Sequence, residues 1–168
     1  MPTKNRIMSE VQKLIQIGFK VKILDDMCKQ LQIIIPGPID SPYENGNFLV
    51  NITVPSEYPF KSPSIGFGSK MFHPNIDESS GSICLDVLNQ VWSPMYDLVN
   101  VCDIFLPQLL LYPNASDPLN GEAASLFLND KEKYNNTVKE YVKKYSVAVK
   151  LEEETKEDSE IDSEDLDL

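Results

Sequence analysis

The chain has one histidine and three cysteines in 168 residues, and each scarcity closes off a class of function. His73 alone, with no paired cysteine spacing around it, leaves no zinc constellation, so no metal site is expected. Cys28, Cys84 and Cys102 are an odd number without a paired pattern, which supports no disulfide framework and reads as three reduced thiols. No run approaches eighteen apolar residues, and Met1–Arg6 leads into charged sequence without the apolar core of a secretory signal. No membrane partner is expected, and the location expected is cytoplasmic, nuclear or both. The glycosylation sequons at Asn51 and Asn114 are then chance matches.

Basic charge is scarce too, with 15 Lys and Arg against 26 Asp and Glu for a net −11. Residues 152–168 hold ten of the acids and one base, Lys156, so they carry −9, while the remaining 16 acids and 14 bases leave the body at −2. A nucleic-acid partner is excluded, because no basic stripe exists to displace counterions. The division expected is one core domain, residues 1–151, followed by an acidic disordered tail, 152–168, too charged and too poor in apolar residues to fold. That tail can steer basic protein partners, and Ser159 and Ser163 sit in contexts that acid-directed kinases accept.

What is present is an ordinary globular apolar fraction, 42%, arranged with changing period. Met8, Val11, Leu14 and Ile15 predict a helix over 9–17, with Ser9 as cap and Gly18 as stop. Runs at 20–24, 30–35, 47–54 and 64–67 read as four strands with short Pro/Gly/Asn/Asp connections, hence an antiparallel meander. About thirty residues after Phe67 carry no period, which in a compact domain marks function or disorder; Leu85, Val87, Leu88 and Trp92 argue for order. Helical spacing returns from Leu98 to Leu110, with Asp97 as cap and Pro107 predicted to kink the last turns. Two further helices are expected, roughly 120–128 and 130–149. Sheet first and most helices later is an α+β order.

Within the aperiodic stretch, Phe72-His73-Pro74-Asn75-Ile76 precedes Gly81-Ser82-Ile83-Cys84-Leu85-Asp86, placing a thiol and a side-chain amide donor on one turn-rich segment. Sulfur can carry an acyl group as a thioester, and an amide N–H can stabilise the oxyanion formed when that thioester is attacked. Cys28 and Cys102 lie in apolar or strand-edge contexts and read as packing thiols. A rival reading makes His73 the base of a Cys84–His73 protease dyad.

Around this segment stand Pro36-Gly37-Pro38, Ser41-Pro42-Tyr43-Glu44-Asn45-Gly46, Pro55-Ser56-Glu57-Tyr58-Pro59-Phe60-Lys61-Ser62-Pro63, Trp92-Ser93-Pro94 and Tyr112-Pro113-Asn114-Ala115-Ser116-Asp117-Pro118-Leu119. In order and spacing they resemble the core signature of ubiquitin-conjugating enzymes over about residues 5 to 150. Phe60–Phe67, Asn75–Glu78, Tyr96–Leu98 and Phe105–Leu110 are most similar to the H-type subgroup, which also ends in an acidic extension. The resemblance implies the fold of that family, a four-stranded meander with an N-terminal helix and C-terminal helices. It implies ubiquitin accepted from an activating enzyme as a thioester on Cys84 and passed, with a RING-type ligase, to a substrate lysine. ATP is consumed by the activating enzyme, so no cofactor is expected on this chain.

Residue by residue, the resemblance makes Asn75 the oxyanion donor, with loop support as the competing role. Asp117 becomes the carboxylate facing the incoming lysine. A carboxylate alone raises a lysine pKa, so that role also needs desolvation of the amine by neighbours such as Asn114 and Leu119; alternatively Asp117 only caps the next helix. His73 and Pro74 become structural support. Phe60, Pro94 and Met95, with Lys4, Arg6 and Lys13 of the first helix, become the surface that meets the activating enzyme and ligase. Met95 departs from the small residue common there, which leaves ligase choice open, and the H-type likeness suggests a ligase of the GID/CTLH kind. Two other classes remain beside this reading: a silent ubiquitin-binding variant of the fold, and a carrier of a ubiquitin-like modifier.

Overall fold

The computed structural model describes residues 2–147. The tail, with Ser159 and Ser163, lies outside the described residues; the last helix, expected to run to Val149, already ends at Tyr145, where Ser146 turns extended. Helix α1 spans Pro2–Ile17, seven residues longer at its start than the periodicity predicts. The reason is Ile7, which extends the apolar stripe Ile7, Val11, Leu14 by one turn; all three are buried. Ser9 is therefore an exposed mid-helix residue instead of a cap. Met8 and Ile15, expected in the stripe, are 41% and 48% exposed, because each is rotated about 100° beyond its buried predecessor. Gly18 ends the helix as expected, at φ +122°, with its N–H on the Leu14 and Ile15 carbonyls.

Strands β1 (Lys20–Ile23), β2 (Gln30–Pro36), β3 (Asn47–Thr53) and β4 (Ser64–Phe67) form one antiparallel sheet in sequence order. The register pairs Val21 with Ile33, Ile33 with Val50, Leu31 with Ile52, Ile35 with Phe48 and Val50 with Phe67. Alternate residues of neighbouring strands thus meet on one face, and that face is the core. Short α2 (Leu85–Asn89) follows Cys84 inside the stretch read as aperiodic; five residues are too few to declare a helical period.

From Leu98 to Leu111 the chain is helical in three pieces: α3 (Leu98–Asn100), a π-helical turn Val101–Phe105, and α4 (Leu106–Leu111). Asp97 caps α3, accepting from Asn100 N–H at 2.8 Å, as its position predicts. The irregularity expected from Pro107 falls before it and not after. Leu106 N–H reaches back five residues to Val101, and this widened turn admits a ring that has no N–H to give. Helices α5 (Gly121–Asn129) and α6 (Lys131–Tyr145) close the fold, capped by Asn120 and Asp130. Buried Ala123, Tyr134 and Val138 pack them against the same core.

Candidate active site

The segment carrying Cys84 is held between β4 and the His73–Ile76 turn. Gly81 makes this possible: its φ of +79° and its approach to the Phe67 carbonyl leave a Cβ only 2.0 Å from that oxygen. Phe67 N–H then donates to the Gly81 carbonyl at 2.7 Å, and Ile83 N–H to Ile65 at 3.2 Å. Cys84 N–H donates to the Asn75 carbonyl at 3.0 Å, so thiol and amide residue are joined through the backbone. Cys84 is 9% exposed and directly precedes α2.

His73 is fully buried, and both ring nitrogens are engaged by the backbone. Asn75 N–H donates to Nδ1 at 2.9 Å, which fixes the remaining proton on Nε2, and Nε2 donates to the Leu109 carbonyl at 2.8 Å. Burial pushes its pKa down to about 4, so the ring is neutral at physiological pH. A Cys84–His73 dyad is thereby excluded, since no ring nitrogen is left to receive the thiol proton. Tyr43 braces the same turn: its hydroxyl donates to the Phe72 carbonyl at 2.6 Å, and its ring lies 5.9 Å from the imidazole.

Asn75 is also fully buried and makes a two-point lock on the loop opposite. Its Nδ2 donates to the Asn114 carbonyl at 2.7 Å, and its Oδ1 accepts from Asn114 N–H at 2.8 Å. An amide NH₂ has two hydrogens, so the lock engages one and the second is not needed for it. The Pro74 carbonyl accepts from Leu119 N–H at 2.8 Å and Asn120 N–H at 3.1 Å, fastening the far end of the 114–120 loop to the same turn.

That loop carries Asp117 to the thiol. The Cys84 sulfur and a carboxylate oxygen from each of Asp86 and Asp117 lie within 4.8 Å of one another, both acids being exposed. Asp117 does not cap α5; Asn120 does, accepting from Ala123 N–H at 3.1 Å. Asp86 escaped the sequence reading. Its signal was its place two residues after the cysteine, in what proves to be the first turn of α2. Among the described residues these three are the one group of His, Cys, Asp and Glu whose donor atoms are close enough to share a cation. The other thiols sit elsewhere: Cys102 is fully buried, its thiol pushed up by burial, and Cys28 is buried in the β1–β2 turn at φ +60°, not on a strand edge.

Phe60, Pro94 and Met95 are exposed on two adjoining loops, Phe60 at 80% and Met95 at 91%. Trp92 Nε1–H donates to the Pro59 carbonyl at 2.9 Å and its ring lies 5.7 Å from that of Tyr58, tilted by 44°, binding the two loops together. The organiser is Glu10, a residue the sequence reading passed over. Buried in α1, it accepts from Tyr58 O–H at 2.5 Å, Leu98 N–H at 2.9 Å and Arg6 Nε–H at 2.8 Å. One carboxylate thus ties α1 to both loops, and three charge-assisted bonds offset its desolvation. Arg6 serves this hub, whereas Lys13 is exposed and Lys4 is half-buried.

Residues 4–142 match the family described as "Ubiquitin-conjugating enzyme". "Ubiquitin-conjugating enzyme E2 5" of Arabidopsis thaliana is 51% identical over 160 residues, 95% of this chain and 86% of that one. "Ubiquitin-conjugating enzyme E2-24 kDa" of Saccharomyces cerevisiae is 47% identical over 163 residues, 97% of this chain and 75% of that one. Among solved structures, the E2 domain of a Toxoplasma gondii ubiquitin conjugating enzyme superposes with TM-score 0.79 at 28% identity, covering 86% of this chain and 99% of that one.

Proposed function

The chain belongs to the ubiquitin-conjugating enzyme family and is a transferase that works through a cysteine thioester, and we propose that Cys84 carries that thioester. The observation behind this is the convergence at one sulfur of the Asn75 turn and the Asp86 and Asp117 carboxylates. Ubiquitin, its activating enzyme and a ligase are the partners this family implies.

In the loading step the Cys84 thiolate attacks the thioester carbonyl on the activating enzyme and expels that enzyme's thiolate. Thiol–thioester exchange of this kind is nearly balanced in energy and needs no imidazole base. In the transfer step a substrate amine attacks the Cys84 thioester, the carbonyl oxygen becomes an oxyanion, and collapse breaks the C–S bond. Asn75 donates its second amide hydrogen to that oxyanion, while its first keeps the 114–120 loop in place. Asp117, assisted by Asp86, orients the incoming ammonium and accepts a proton from it; Leu119, 44% exposed, and Asn114 displace water from the amine. His73 and Pro74 set the turn and take no proton.

Phe60, Pro94 and Met95, beside Lys4, Arg6 and Lys13, form the docking surface for the activating enzyme and a RING-type ligase, with the GID/CTLH kind as the ligase suggested by the H-type likeness. The acidic tail favours basic substrates. No cofactor is needed on this chain, because ATP is spent by the activating enzyme. No helix among the described residues is long and apolar enough to cross a membrane, and we assign the protein to the cytoplasm, the nucleus or both. Incubation with ATP, ubiquitin and activating enzyme should give a reducible adduct on the parent, Cys28→Ser and Cys102→Ser, and none on Cys84→Ser. A reducible adduct persisting on Cys84→Ser overturns the site. Loading by a ubiquitin-like modifier and its own activating enzyme, without loading by ubiquitin, would move the substrate class.

A further inference from the structure

The described chain ends beside a groove whose charge is opposite to that of the segment that follows. Helix α6 holds five of the chain's 15 Lys and Arg residues, Lys131, Lys133, Lys139, Lys143 and Lys144, against Glu132 and Glu140. Lys139 and Lys143, one turn apart, line one wall of an open groove of about 660 Å³, opposite Ser41, Glu44 and Asn45. Among the described residues neither lysine makes an ion pair. Glu44, the one acid lining the groove, accepts from Asp40 N–H at 2.9 Å within its own turn.

The exit point is fixed at the same place. Asn47 N–H donates to Ser146 Oγ at 2.8 Å, and Val147 N–H donates to the Asn47 carbonyl at 2.8 Å, so the chain is clamped to β3 where Ser146 lines the groove. The first tail acid, Glu152, comes five residues after Val147, a reach of at most about 18 Å. Lys139 is about 10 Å back along the helix from Ser146. Covalent tethering therefore keeps ten carboxylates within reach of two exposed ammonium groups at high effective concentration. The negative end of the α6 dipole disfavours acids close behind it unless cations intervene, and the last-turn lysines are those cations.

We propose that the acidic segment 152–168 of this same chain docks along α6, its carboxylates paired with Lys139 and Lys143 in the groove beside Ser41–Asn45. A basic partner must then compete with the enzyme's own lysines for the tail, so the core sets how much of that charge is on offer. The contact is electrostatic, and it leaves the thiol untouched.

Backbone amide shifts of the full-length protein test this in both directions. Neutralising the near half of the tail (Glu152→Gln, Glu153→Gln, Glu154→Gln, Glu157→Gln and Asp158→Asn together) should shift the amides of 41–45 and 139–146 and leave those of β1 and β2 in place. Lys139→Gln with Lys143→Gln should reciprocally shift the amides of 152–160. Both differences should collapse between about 0.1 M and 1 M salt, as the screening length falls from about 10 Å to about 3 Å. Groove amides that ignore the tail substitutions overturn the proposal. Shifts that fade on dilution overturn it as well, since they would mean the tail of a second copy occupies the groove.

Discussion

The cysteine pocket and the surface that carries Phe60 and Met95 are both loop-built, yet they are held by different means. Around Cys84 the bonds run to the backbone: His73 to Leu109 and Asn75, Asn75 to both peptide groups of Asn114, Pro74 to Leu119 and Asn120. Around Phe60 and Met95 the loops converge on one side chain, Glu10, reached by a tyrosine hydroxyl, an arginine and one amide. A backbone-anchored site spreads its support over many bonds, whereas a hub concentrates it. Damage to the hub should therefore cost stability and docking together, and damage to the pocket should cost chemistry first.

The largest stability effect should come from Glu10→Ala, which leaves Tyr58 O–H and Leu98 N–H buried without acceptors. We expect a loss of about 3 kcal/mol, a fall of roughly 6–12 °C in melting temperature for a domain of this size. Loading by activating enzyme and ligase-stimulated transfer should slow, while discharge of preloaded protein to free lysine keeps its rate. Glu10→Gln retains the acceptor oxygen and should recover most of both losses. Slowed free-lysine discharge in Glu10→Ala would mean the two regions are not separately supported.

Next comes the pH dependence of the pocket. The folded-state pKa of His73 lies near 4, below the ordinary 6.5, so the unfolded chain binds the extra proton between these values. The stabilisation is complete above about pH 6.5 and is lost as pH falls toward about 4, by about 3 kcal/mol at the lower end. Urea unfolding of the parent across this window should steepen relative to His73→Gln, which removes the titration and leaves the acids common to both. Parallel curves would contradict the buried neutral imidazole. The pH profile of Cys84 alkylation should be the same in both proteins, because the ring does not serve the thiol.

The smallest effect sharpens the division of labour within the pocket. Asp117→Asn and Asp86→Asn should each slow discharge to lysine by about one order of magnitude, less than the roughly 10²–10⁴-fold of a lone positioned proton acceptor because the second carboxylate remains, and leave loading unaltered. Asp117→Asn should be the more severe. Equal effects on loading would place the carboxylates with the incoming thioester instead of the amine.

Legibility in the sequence follows the same contrast. The meander was readable because alternation in β2 and β3 maps directly onto buried and exposed faces. Cys84 and Asn75 stood out because a thiol and an amide share one turn-rich segment, whereas Asp117 entered only through the family resemblance, and the structure brings its carboxylate near the Cys84 sulfur. Glu10 was not, because one acid in a helix looks like a solvated face until the partners 48 and 88 residues away close over it. The start of α1 was missed because charged Lys4 and Arg6 hide the apolar stripe that Ile7 continues. Asp86 was hidden by a helix too short to have a period.

The most direct test of the central claim is to time the two half-reactions of Asn75→Ala in single-turnover experiments. The account predicts near-normal formation of the Cys84 thioester and discharge to free lysine slower by about a hundredfold, the usual cost of one lost oxyanion donor, on the order of 2.7–4 kcal/mol. Loading and discharge slowed by the same factor would contradict it, leaving Asn75 as a loop lock and nothing more.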